Sequence, residues 1–332
     1  MRLSTALIAL NLATWGTNVA QQTPSAGYPP PGHLIDIGGR KLHLHCTGRD
    51  TPTVILVAGG GAFSIDWTLV QRRVEGTTRV CSYDRAGLGW SDPGPGEETV
   101  EETIDDLHRL LRAAGDTGRH ILVGASIGGI YIRAYQHAYP NEVAGLIFAN
   151  SSHRVGMVVK GGGDLIWKLS EDEVRSAFPL PANAKGPAPT REGEPFDRLP
   201  SDVQAVRLWL DRRLWDKFDP TRTGPESMLS WRKEFLRELQ ESCSGPAHPL
   251  GNLPVLVLSG DSSASELARL HRLDRSFCDQ TDAGDGLELL SSNSGYVIAA
   301  GSGHEIHLYQ PDVVVGAVER VVRAVRDRVP LP

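Results

Sequence analysis

Basic runs are missing from this sequence of 332 residues, which carries 34 Lys and Arg against 40 Asp and Glu, a net charge of −6. A protein that grips a phosphate backbone needs a basic surface, so nucleic acid is not an expected partner. Zinc-type spacing is missing too. The four cysteines, Cys46, Cys81, Cys243 and Cys278, form no Cys-x-x-Cys and have no nearby Cys/His set, so no metal is expected. No apolar stretch is long enough to span a bilayer, which argues against stable membrane insertion. No internal repeat is visible. What remains is 40% apolar and 22% charged, ordinary for a soluble globular protein with a full core. The length allows one α/β domain with an insertion, or two domains.

The N-terminus reads as a secretory signal. Met1-Arg2 supplies one positive charge, Leu3 to Ala13 is mostly apolar, and Ala20 precedes polar Gln21-Gln22-Thr23-Pro24. Asn18 departs from the small residue usual two places before the cut, and a frayed N-terminal helix is the competing reading. Residues 1–20 are therefore expected to be removed, 21–34 to form a disordered lead-in, and the mature chain to be secreted or periplasmic. An even cysteine number in an exported chain suggests disulfides, whereas a cytosolic chain would carry four buried thiols.

Along the chain, apolar runs alternate with turn signals. Strands are expected at Lys41–Cys46, Thr53–Val57, Arg79–Tyr83, His120–Val123, Val143–Phe148, Val255–Leu258 and Tyr296–Ala300. Thr99–Ala114 has helical spacing, with Ile104, Leu107, Leu110 and Leu111 on one face, and a last helix opens at Pro311 with Val314, Val318, Val321 and Val325 aligned. Strands alternating with helices mean an α/β fold with a parallel sheet covered on both faces. The rhythm breaks between residues 153 and 250, where no clear strand occurs and four of the seven tryptophans lie: Trp167, Trp209, Trp215 and Trp231.

The segment that carries chemistry is Gly124-Ala125-Ser126-Ile127-Gly128-Gly129. It follows the apolar strand Ile121-Leu122-Val123 and opens a helix that Pro140 closes, the context a Gly-x-Ser-x-Gly nucleophile elbow requires. So sharp a turn needs neighbours with almost no side chain, and the helix N-terminus aims free N–H groups at the reacting centre. A serine hydroxyl is a poor nucleophile until a base takes its proton. His304 is the candidate base, in a loop of small residues after the last strand; loops at the carboxyl ends of parallel strands share one edge. His307, one helical turn on, is its rival. Two backbone N–H donors would stabilise an oxyanion: that of Ile127 and that of Gly60, in the glycine-rich loop after Val57.

On these residues the chain resembles the α/β-hydrolase superfamily, from about residue 35 to the C-terminus outside the insertion. The matching stretches are Val54-Ile55-Leu56-Val57-Ala58-Gly59-Gly60, Tyr83-Asp84-Arg85-Ala86-Gly87-Leu88-Gly89-Trp90-Ser91-Asp92-Pro93, the elbow at Ser126, and Gly303-His304. The resemblance implies a mostly parallel eight-stranded sheet, with core residues 35–152 and 251–332 and a helical cap at 153–250. It also implies a catalytic acid after the seventh strand, where Asp261 stands, nearer its glycine than usual. Some relatives place the acid after the sixth strand, where this chain has Asn150. A buried carboxylate both orients an imidazole and stabilises its cation, whereas an amide only orients it, which favours Asp261. The superfamily's strand order sets the second strand beside the fourth, pairing Cys46 with Cys81 and leaving Cys243 with Cys278. Asp84 and Arg85 are read as tying loops together.

Two readings from other classes compete. Gly59-Gly60-Gly61 after a strand, with Asp84 ending the next, suggests a dinucleotide-binding oxidoreductase, but Ser64 stands where the third glycine is wanted. A non-catalytic binding protein on the same fold would not need the Ser126/His304 pair. Serine in the elbow excludes the aspartate-nucleophile route of dehalogenases and epoxide hydrolases. A carboxylesterase acting on a small-molecule ester, without cofactor, is the expectation; lactone, thioester and carbon–carbon bond hydrolysis are the alternatives. The insertion's tryptophans suggest an apolar substrate group, or equally the insertion's own core.

Overall fold

The computed structural model describes residues 27–151, 169–177, 188–217, 224–244, 247–260 and 290–332. Eight strands form one sheet: β1 His33–Asp36, β2 Lys41–Thr47, β3 Thr53–Val57, β4 Val80–Tyr83, β5 His120–Ala125, β6 Val143–Ala149, β7 Val255–Gly260 and β8 Ser294–Ala299. Their spatial order is β1-β2-β4-β3-β5-β6-β7-β8. β2 runs antiparallel to both β1 and β4, and every pairing from β4 to β8 is parallel. This is the eight-stranded, mostly parallel sheet that the family resemblance implies. β1 carries no signal of its own; its four residues are mostly exposed and it holds its place by pairing with β2.

The unbroken apolar runs have a simple cause. In β3, Ile55 and Val57 face one core, whereas Val54 and Leu56 face the other. β6 divides the same way, with Leu146 and Phe148 on one side and Ala144, Ile147 and Ala149 on the other. Strands covered on both faces have no solvent face to fill with polar residues. Helices α2 (Val100–Ala113) and α3 (Gly128–Ala138) cover the first face. Helix α1 (Thr68–Val74) and the last helix, α8 (Pro311–Asp327), cover the second.

Local signals set the helix ends. Thr99 caps α2 by accepting from the Glu102 N–H at 3.2 Å, with Glu101 and Glu102 in the favourable first turn. Pro311 opens α8, and Val314, Val318 and Val321 are fully buried along one face. Between β6 and β7 the described residues contain no strand. They form α4 (Glu171–Ala177), α5 (Ser201–Asp216) and α6 (Pro225–Ser244). A short helix α7 (Ile306–Tyr309) precedes α8. Among the described residues no helix is long and apolar enough to cross a membrane.

β2 and β4 place Cys46 directly opposite Cys81, Cα atoms 4.0 Å apart, and the two form a disulfide. The Cys243–Cys278 pairing lies outside the described residues. Closing a loop between positions 35 residues apart removes denatured-state freedom. The double variant Cys46→Ala/Cys81→Ala should therefore lose roughly 3 to 4 kcal/mol of stability in urea denaturation. A loss under about 1 kcal/mol, or free thiols at both positions in peptide maps made without reductant, would contradict this assignment.

Candidate active site

β5 ends at Ala125 and α3 begins at Gly128, so the chain turns from strand to helix within two residues. Ser126 makes the turn with φ at 52°, in the left-handed region that a residue with a side chain rarely adopts. Such a conformation costs on the order of 1 kcal/mol or more and persists only where the surroundings enforce it. The enforcement is close backbone packing. A Cβ on Gly124 would stand 2.5 Å from the Gly128 carbonyl oxygen, and one on Gly128 would stand 2.5 Å from that of Val57. The Ser126 N–H donates to the Ala149 carbonyl at 3.2 Å, fixing the turn against the end of β6.

The residue after Ala149 is Asn150, also left-handed at φ 50° and buried. Its N–H donates to the Leu258 carbonyl at 2.7 Å, at the end of β7. Its side chain joins two further loops. Nδ2 donates to the His304 carbonyl at 2.9 Å and lies 3.1 Å from His304 Nδ1, while Oδ1 accepts from the Gly260 N–H at 3.3 Å. Turning the amide over would set oxygen against the His304 carbonyl and a donor against the Gly260 N–H, so this orientation is the one its neighbours support. An Nδ1 that accepts from an amide leaves the ring proton on Nε2. Taking a proton from serine at Nε2 needs the other tautomer, with an acceptor for Nδ1–H.

The structure thus gathers the ends of β5, β6 and β7 and the loop after β8 around Ser126, Asn150 and His304. His304 is exposed at this edge. Asp261 lies outside the described residues. Its chain neighbour Gly260 packs against the loop of His304, since a Cβ there would stand 2.8 Å from the carbonyl oxygens of both Ser302 and Gly303. The loop after β3 lies on the other side of Ser126. A Cβ on Gly59 would stand 3.2 Å from Ser126 Cβ, and one on Gly60 would stand 3.8 Å from Ile127 Cγ2. Among the described residues, neither the Gly60 N–H nor the Ile127 N–H has a hydrogen-bond acceptor.

Asp84 and Arg85 do tie loops together. Asp84 accepts from the Ser64 N–H at 2.7 Å, the Trp90 N–H at 3.2 Å and buried His43 Nδ1 at 2.8 Å. Arg85 Nη1 and Nη2 donate to the carbonyls of Ala58 at 2.7 Å and Gly59 at 2.9 Å, and its Nε to Glu98 at 2.6 Å. Burial disfavours the Arg85 charge, but Glu98 and its other neighbours outweigh that and push its pKa up.

One cluster had no sequence signal. Arg207 of α5 is buried and donates to Asp66 at 2.8 Å, Glu192 at 2.7 Å and Asp211 at 2.6 Å, and it stacks on Phe196. Burial raises the Asp66 carboxyl to about 6, against the lowering effect of Arg207. Asp66 Oδ2 also accepts from the Phe63 N–H at 3.0 Å, so α5 is anchored to the segment that continues the Gly59–Gly61 loop. Trp209 packs against Tyr28 and Trp90, and Trp231 packs on the main core, so these two tryptophans hold α5 and α6 in place.

A match to the model of the alpha/beta hydrolase family spans residues 54–317. The chain belongs to this family of hydrolytic enzymes. It is 28% identical to a probable transporter of Hormonema carpetanum over 87% of its own length, but spans only 42% of that protein. It is 26% identical to an AB hydrolase superfamily protein of Gibberella zeae, covering 83% of this chain and 87% of the relative. Among solved structures, an esterase from Thermogutta terrifontis has the same fold, with a TM-score of 0.55 at 21% identity over 86% of this chain and 94% of that one.

His307, the rival base, is buried against the Trp67 ring with centroids 4.5 Å apart, and among the described residues its Nδ1 has no hydrogen-bond partner. Burial, with nearby His304 and Arg207, holds it down to about 3. The native state therefore keeps His307 neutral, while the unfolded chain takes a proton near the usual imidazole value of about 6.5. Between those values the unfolded state binds one more proton, so stability falls as pH falls, by up to about 1.4 kcal/mol per unit. His307→Phe, which keeps a ring on Trp67, removes that dependence. Urea midpoints at pH 7 and pH 5 should show the wild type losing about 2 kcal/mol more than the variant. Equal losses would mean that His307 is not buried neutral.

Proposed function

We propose that the protein is a serine hydrolase that cleaves carboxylic esters through an acyl-enzyme, with Ser126 as nucleophile and His304 as base. The observation that carries this reading is the left-handed Ser126 at the strand-to-helix turn. That turn shares a sheet edge with His304 through Asn150. Membership of the alpha/beta hydrolase family supports the same class of reaction.

In the proposed cycle His304 Nε2 takes the proton as Ser126 Oγ adds to the ester carbonyl carbon. The oxygen becomes an oxyanion facing the N–H groups of Gly60 and Ile127, both free of other acceptors among the described residues. Collapse breaks the carbon–oxygen bond to the alcohol, which leaves with the proton from His304. Water then repeats the sequence on the acyl-enzyme and releases the acid. The acceptor for Nδ1–H is assigned to Asp261, the residue after Gly260 in the sequence, with Asn150 holding the His304 loop to β6 and β7. The substrate is a small-molecule ester. A preference for an apolar ester group rests on the tryptophan content of the insertion alone.

Ser126→Ala should remain folded and lose turnover on p-nitrophenyl esters by about a million-fold, the scale of a disabled triad. Substantial residual activity in that variant would sink the mechanism. Asp261→Asn should cost about ten-thousand-fold with little change in melting temperature, and Asn150→Ala much less. The reverse ranking, with Asn150→Asp faster than wild type, would move the third position to the end of β6. A series of acyl lengths reads the substrate preference.

An oxidising compartment accords with the Cys46–Cys81 bond and the signal-like N-terminus. Exported protein should begin at Gln21 on N-terminal sequencing. A retained Met1 would place the chain elsewhere.

A further inference from the structure

Arg85 has two carbonyls of consecutive residues on one guanidinium, and they belong to the loop that touches Ser126. A trans peptide points its N–H opposite to its C=O. With the Gly59 carbonyl drawn to Nη2, the N–H of the same peptide, which is that of Gly60, points away from Arg85. With the Ala58 carbonyl drawn to Nη1, the Gly59 N–H is turned the same way. Two successive N–H groups on one side of a chain make a concavity suited to negative charge.

The guanidinium is itself held rigidly. Its Nε donates to Glu98, Glu98 also accepts from the Tyr131 hydroxyl at 3.2 Å, and the guanidinium carbon lies 5.2 Å from the centre of the Tyr131 ring. Tyr131 is in α3, the helix whose first turn carries Ile127 at its N-terminus. One buried cation therefore fixes the Gly59–Gly60 peptide relative to the helix that supplies the other donor.

We propose that Arg85 is a positioning residue for the oxyanion hole, setting the Gly60 N–H towards the substrate oxygen through its bonds to the carbonyls of Ala58 and Gly59. This rests on the serine-hydrolase reading above. Lysine cannot replace it, because an ammonium lacks the planar fork that meets two carbonyls at once. An oxyanion donor matters most when charge develops on the substrate oxygen, so misorientation slows acylation more than it weakens substrate binding.

The test uses the purified full chain with a p-nitrophenyl ester and its thiono counterpart, whose sulfur accepts hydrogen bonds poorly. A fluorophosphonate first counts reactive Ser126 and melting temperature reports folding. In Arg85→Lys the maximal single-turnover acylation rate on the oxygen ester should fall by about a hundred-fold or more, with half-saturation within about threefold. The thionoester rate should fall far less, so the oxygen-to-sulfur ratio collapses. Glu98→Gln, which leaves Arg85 present but loosens its anchor, should move the ratio in the same direction by about tenfold and serves if Arg85→Lys does not fold. Variants that fold and label at Ser126 with an unchanged ratio would reduce Arg85 to a structural staple and leave the hydrolase reading intact. Failure of the wild type to label at Ser126 would instead overturn the hydrolase reading and this proposal with it.

Discussion

Backbone held against backbone at Ser126 is the constraint on which the rest of the site depends. A left-handed residue with a side chain is tolerable there only because Gly124 and Gly128, two residues away on either side, lack side chains, letting β3, β5 and α3 approach to distances a methyl group would forbid. That approach brings the loop after β3 against Ser126, and among the described residues the Ile127 N–H at the head of α3 has no acceptor. The strain is local, and the enforcement is backed by central strands buried on both faces, which admit no shift of register.

Around that turn, buried polar groups act as fasteners between loops. Asp84 gathers three donors from three segments, Arg85 two carbonyls and a carboxylate, Asn150 the ends of β6 and β7 and the loop of His304, and Arg207 three carboxylates. Each is costly to bury unpaired, so each is informative about which loops must stay together. The loops at the carboxyl edge bury Phe63, Ile65 and Leu88, but hydrophobic burial has no direction and would not by itself fix them to within an ångström. Hydrogen bonds with definite directions supply that precision.

Most of the sheet was legible because its signals are short-ranged. Apolar runs of four to seven residues, turn residues after them, and helical spacing in α2 and α8 gave elements whose ends differ from expectation by one or two residues, as at β8, which begins at Ser294 and not at Tyr296. β1 was not legible, since an exposed edge strand of four residues has neither an apolar run nor alternation. Trp209 and Trp231 showed the limit of composition: an aromatic residue in an insertion fits a substrate pocket and a packing contact equally well, and only its neighbours decide. The resemblance to a known family, carried by the motif from Tyr83 to Pro93, led to the pairing of Cys46 with Cys81, which periodicity alone does not contain.

The sequence by itself determined the α/β rhythm and the strand–serine–helix turn, and it singled out His304, near the C-terminus, as the candidate base for Ser126. All of these follow from residues within a few positions of one another or from the shared edge of a parallel sheet. Only the tertiary structure decided that Asn150 faces His304 Nδ1 across 154 residues and that Arg207 reaches Asp66 across 141. It likewise decided that Arg85 takes the carbonyls of Ala58 and Gly59, and that His307 is sealed against Trp67 while His304 stands exposed. The physical reason is that a side chain's hydrogen-bond partner depends on strand order, register and loop path together. None of these leaves a periodic trace in the chain, and a polar residue alone does not reveal which distant group will satisfy it.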